Sequence, residues 1–142
     1  MERTEVMVYF TIFGDEFPLE VVTQKLGVPP ILTYTKGDLI PNRRSKMHYK
    51  ESAWELSTGY QDSLDVNEQL QQVIGQLVGK ETVITGILKT YSLLCKFFIV
   101  IVINNGETPS LYLDKSVIHF AANIGAEFDF DLYANPYEGE MD

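Results

Sequence analysis

Residues 5–13 read Glu-Val-Met-Val-Tyr-Phe-Thr-Ile-Phe. Val6, Val8, Phe10 and Ile12 share one side of an extended chain, and Met7, Tyr9, Thr11 and Phe13 share the other. The pattern predicts a strand buried on one face and half covered on the other. Gly14-Asp15-Glu16 interrupts it, and Leu19, Val22 and Leu26 then recur at helical spacing up to Gly27, predicting a short helix over 16–26. Pro29-Pro30 excludes further helix, so the β-branched and aromatic run 31–35 reads as a second strand. No period holds over residues 36–50, which predicts an exposed loop.

Alternation returns at 52–57, with Trp54 in phase with Leu56 and therefore expected in the core. Asp65 and Glu68 have the spacing of a capping box, and Val66, Leu70, Val73, Ile74, Leu77 and Val78 trace an apolar stripe ending at Gly79, a second helix. Segments 82–90 and 92–103 read as two further strands. The run Phe97 to Ile103 has no polar alternation, which places it at the centre of a sheet. Asn104-Asn105-Gly106 signals a turn, after which 111–113 is expected to pair back as a hairpin. Asp114 can cap a third helix with Val117, Ile118, Ala121, Ala122 and Ile124 inward and Gly125 at its end. In the last strand, 127–133, Phe128, Phe130 and Leu132 alternate with Glu127, Asp129 and Asp131. Strands arrive in adjacent pairs more than in alternation with helices. The expected fold is therefore α+β, a mixed and largely antiparallel sheet with about three helices sheltering one face. Residues 1–135 form one expected domain, and 136–142 an acidic, disordered tail.

A chain of 142 residues suits one core. A single cysteine, Cys95, lies in an apolar run and reads as a small buried hydrophobe, which with the lack of a leader or a long apolar span points to a soluble, cytoplasmic protein. The formal charge of −9 opposes general affinity for nucleic acid or anionic membrane. That charge is uneven: residues 36–50 sum to +4 and residues 51–142 to −10. The basic cluster is Lys36, Arg43, Arg44, Lys46 and Lys50, and the acidic one is Glu127, Asp129 and Asp131 with the tail. These eight side chains are the candidate contacts for a partner or an anion.

Each cluster also has a plainer reading. Edge-strand carboxylates protect against aggregation, and the loop cations are either solvated or neutralise the acidic strand. A divalent ion on the three acids would need further oxygens from a loop. Gly75 to Thr82 differs from a phosphate loop in its spacing and closes a helix instead of opening one. His119, beside an apolar stripe, is expected to be partly buried, and His48 to be a solvated loop residue. No catalytic residue, metal or cofactor is assigned.

Several strings recur in a known order: Phe13-Gly14-Asp15-Glu16-Phe17-Pro18, Leu26-Gly27-Val28-Pro29-Pro30, Lys36-Gly37-Asp38, Trp54-x-Leu56-Ser57, and Asn123-Ile124-Gly125-Ala126 running into Phe128 to Tyr133. Together they resemble the bacterial domain of unknown function family 4279, over about residues 5–133. The resemblance implies a bacterial or phage, cytoplasmic, single-domain protein and brings no activity or catalytic residue with it.

Three functional readings follow. The first is a non-enzymatic protein-binding module, in one form an immunity or antitoxin protein, engaging an oppositely charged and thus basic partner. The second is an anion, small-ligand or nucleic-acid module using loop 36–50, with nucleic acid disfavoured by the net charge. The third is an enzyme with a carboxylate-based site, which needs no sequence motif. Oligomeric state stays open, because a sheet edge can pair with a second copy and acidic side chains can prevent it.

Overall fold

A computed structural model describes residues 2–136 of the chain. The chain runs β1 (Glu5–Gly14), α1 (Leu19–Leu26), β2 (Leu32–Tyr34), β3 (Ser52–Ser57), β4 (Gln61–Asp62), α2 (Val66–Gly75), α3 (Glu81–Tyr91), β5 (Leu94–Ile103), α4 (Lys115–Ile124) and β6 (Glu127–Ala134). The strands form one mixed sheet in the order β2-β3-β1-β5-β6, with β4 continuing the β3 side of β1. Every pairing is antiparallel except β5 with β6, which are parallel and joined through α4. The fold is α+β, as the pattern predicts, with four helices among the described residues in place of three.

The extra helix is α3, over a segment expected to be a strand. Its β-branched residues suit an extended chain, but Ile84 and Ile87 are buried and Leu88 and Tyr91 pack on the core, an i, i+3, i+4, i+7 stripe. Packing that stripe against α1 and α4 outweighs a propensity difference of a few tenths of a kcal/mol per residue. The hairpin expected at 111–113 does not form either. Strand β5 is flanked by β1 and β6 along its length and has no free edge for it. Ser110 instead bridges in parallel to Asp65 at the start of α2.

The sheet has one covered face. Val6, Val8, Phe10 and Ile12 of β1, Trp54 and Leu56 of β3, and Cys95, Phe97, Ile99 and Ile101 of β5 meet the buried sides of the four helices in one core. Trp54 is fully buried and donates its indole Nε1–H to the Thr23 hydroxyl of α1 at 2.9 Å, so the large apolar surface is sealed with its one polar atom satisfied. Asp65 and Asp114 cap α2 and α4 as their positions suggest, accepting from the amides of Asn67 and Val117. Asp114 also accepts from the side chains of Asn67, Gln71 and Ser116, which ties α2 to α4 and holds its carboxyl far below the usual range. Gly125, at φ 71°, turns the chain from α4 directly into β6, a left-handed position that glycine occupies without steric cost. The expected tail lies, from residue 137 on, outside the described residues. Among the described residues no helix is long and apolar enough to cross a membrane.

Candidate functional site

Among the described residues no helix lies on the other face of the sheet, and the cross-strand register sets out what it presents. Leu32 pairs with Glu55, Glu55 with Thr11, Thr11 with Lys96 and Lys96 with Glu127, one row across five strands. The next row is Ser57, Tyr9, Phe98 and Asp129, and beyond it Met7, Val100 and Asp131. Because side chains alternate along each strand, all three rows project to the same side. Among the described residues the bare face is therefore aromatic and apolar in the middle, with carboxylates on either side of a single cation, Lys96.

Its centre is a hollow of about 230 Å³ lined by Tyr9, Thr11, Phe13, Tyr34, Glu51, Glu55, Lys96 and Phe98. Tyr9 and Phe98 stack at 4.7 Å with an 11° interplanar angle. Tyr34 is held from behind by Tyr49 of the loop, ring on ring at 3.8 Å. The Thr11 hydroxyl donates to Glu55 Oε2 at 3.2 Å. Burial raises the Glu55 carboxyl above its ordinary pKa, and the Thr11 bond opposes that rise only in part. Burial, and secondarily the negative charge of Glu55, pushes the Tyr9 and Tyr34 phenols up to about 12. Each phenol therefore stays protonated and neutral across the physiological range.

Lys96 reaches the other way. Its ammonium lies 4.0 Å from Glu127 and 3.8 Å from Asp129, and 5.9 Å from the centre of the Phe98 ring. The base that the acidic strand meets is thus an interior residue of the neighbouring strand. The basic loop stands elsewhere: it leaves the sheet from β2, one edge, whereas β6 is the opposite edge. Three strands lie between these two edges, and among the described residues no ion pair joins the loop to the acidic strand.

The loop itself is a closed excursion. Gly37 N–H donates to Tyr49 O, Tyr49 N–H to Asp38 O and Ile40 N–H to Met47 O, and Leu39 bridges His48. Lys36 is spent on this closure, its amide donating to the Ser52 hydroxyl and its ammonium to Asp15, which raises the Lys36 pKa. Arg43, Arg44, Lys46 and Lys50 are exposed and, among the described residues, have no ion-pair partner. His48 is exposed, as expected. His119 is exposed as well, because it projects from the outer side of α4, away from the core side held by Val117, Phe120 and Ala121. Among the described residues no three His, Cys, Asp or Glu side chains converge to hold a metal ion.

Strand β6 completes the site. Among the described residues it pairs only with β5, and nothing described lies on the outer edge of its eight residues. Asp129 and Asp131 are exposed on the bare face. On the helix side Phe128 packs on the core, but Phe130 and Leu132 are 38% and 57% exposed, since the helical layer stops short of them. Sequence reasoning found the acids of this region and passed over Tyr9, Glu55, Lys96 and Phe98. A signal existed for two of them: Glu55 is the out-of-phase residue between two core positions, and Lys96 is the one charge inside the most apolar segment.

No curated protein and no solved structure matches the chain. The Domain of unknown function family (DUF4279) matches residues 4–135, which takes in every described strand and helix of the fold, and the chain belongs to that family.

Proposed function

We propose that the chain is a non-enzymatic protein-binding module that receives a basic partner on β6 and the adjoining bare face. The observation that carries this reading is the combination on one edge strand: an outer side with no partner strand among the described residues, Asp129 and Asp131 on one face, and uncovered Phe130 and Leu132 on the other. An edge of this kind is usually shortened, covered or twisted away. Left open, it accepts an added strand, with main-chain hydrogen bonds supplying affinity and alternate side chains supplying specificity.

Charge supports a foreign strand over a second copy. Two β6 strands pairing antiparallel about Phe130 set Asp129 against Asp131 on the same face twice, between molecules that each carry a formal charge of −9. A segment alternating basic and apolar residues meets both sides of β6 favourably and gains on-rate from the field. An immunity or antitoxin protein facing a basic toxin is one concrete form of this function.

The test compares three immobilised baits at low and physiological salt: the native chain, Asp129→Lys/Asp131→Lys, and Arg43→Glu/Arg44→Glu, each shown to be folded by circular dichroism. A basic protein retained by the native chain and the loop variant, and lost from the β6 variant, supports the proposal. Retention that follows the loop variant instead favours the anion reading, and equal retention by all three contradicts both.

A further inference from the structure

Beside the β6 edge, the Glu55 hollow has features of its own that point to a small ligand. A second depression, about 500 Å³, adjoins it and is lined by Met7, Tyr9, Ile31, Leu32, Glu55 and Ser57. Tyr9 and Glu55 line both, so a carboxylate stands where an aromatic hollow opens into an apolar trough. Ile31 and Leu32, in that trough, are 68% and 47% exposed. Large aliphatic side chains left this open beside a half-buried acid form a two-part surface, apolar at one end and anionic at the other.

We propose that this surface binds a small organic cation, a primary ammonium carried on a short alkyl chain, with the ammonium at Glu55 between the rings of Tyr9, Tyr34 and Phe98 and the chain along Met7, Ile31 and Leu32. Three features point to that class. Glu55 Oε2 is taken by Thr11, while Oε1 has no hydrogen-bond or ion-pair partner among the described residues. One free acceptor oxygen suits a point donor such as an ammonium better than the two-pronged guanidinium. Ring faces attract an organic cation and do nothing for an anion. Lys96 also lines the hollow, but its ammonium lies nearest Glu127 and Asp129, and among the described residues Glu51 and Glu55 have no ion-pair partner.

The inference is independent of partner binding at β6, and its test does not need the partner. The isotope-labelled chain is titrated by NMR with n-hexylammonium, with n-hexanol as the uncharged match, and with acetyl-Gly-Lys-Gly-amide as a lysine side chain on peptide backbone. Saturable shifts at Tyr9, Leu32, Glu55 and Phe98 are expected with hexylammonium, at least about tenfold tighter than hexanol, the size of a desolvated cation–ring contact. Glu55→Gln should remove that preference and leave hexanol unchanged, and Tyr34→Leu should weaken the ammonium alone. Equal binding of ammonium and alcohol, an unchanged affinity in Glu55→Gln, or shifts confined to β6 would overturn the proposal. Binding of the lysine peptide in place of hexylammonium would overturn the small-ligand assignment and give the ammonium to a partner's side chain.

Discussion

Trp54 and Glu55 follow one another in β3 and end in opposite surroundings. Trp54 is sealed beneath α1 with its indole N–H satisfied, whereas Glu55 stands half-buried in an open hollow with one oxygen unengaged. Phe97 and Phe98 divide in the same way on β5: the first packs among Phe10, Phe120 and Phe128, the second stacks on Tyr9 at the surface. The covered face holds residues whose removal leaves a void, and the bare face holds residues whose chemistry is displayed. Packed and displayed side chains are thus separated by the two-residue period of the strand, within a few ångströms of each other.

Substitutions at neighbouring positions should expose that separation. Trp54→Ala should cost about 3–5 kcal/mol in urea unfolding, from the cavity together with an orphaned Thr23 contact. If it costs no more than a surface substitution, the assignment of the core is wrong. Phe98→Ala should cost less, about 1–2 kcal/mol, because its ring is only partly covered and loses mainly the Tyr9 stack. Equal losses at Phe97 and Phe98 would mean that both faces are packed alike. Glu55→Gln should go the other way and stabilise the fold slightly at neutral pH. Burial holds the Glu55 pKa above its unfolded value, so the folded chain binds that proton first. The native chain then gains stability as pH falls through the raised pKa, and the gain is complete below the unfolded one. The advantage of the glutamine variant should accordingly shrink from pH 7 toward pH 4, and an advantage independent of pH would break the link to the buried charge.

The covered face was legible from sequence because alternation marks it directly: β1, β3 with Trp54, the capped helices α2 and α4, and the closing strand β6 all follow from one-dimensional pattern, although Ile118 and Ala122, expected inward on α4, are exposed and Phe120 takes the core position instead. What escaped depended on partners distant in the chain. Residues 81–91 carry strand-like side chains and became helix because α1 and α4 offered a groove for Ile84, Ile87 and Leu88. Residues 111–113 had no strand left to pair with once β6 lay along β5. At the site, the acids of β6 could be read from their own strand. The hollow could not, since Glu55, Thr11 and Lys96 meet only through the register of β3, β1 and β5. The cation that answers the acidic strand was visible as an anomaly in the apolar run, but nothing local says which strand lies beside it.

The claim that recognition belongs to β6 and the bare face is tested most directly by site-specific photo-crosslinking in cells of the source organism. A photoreactive residue is placed at Leu132 on β6, at Arg44 in the loop, or at Ile118 on the outer face of α4, all three exposed. A discrete heavier adduct from position 132, absent at 44 and 118, is the predicted result. Adducts from the loop or the helical layer with none at 132 would contradict it.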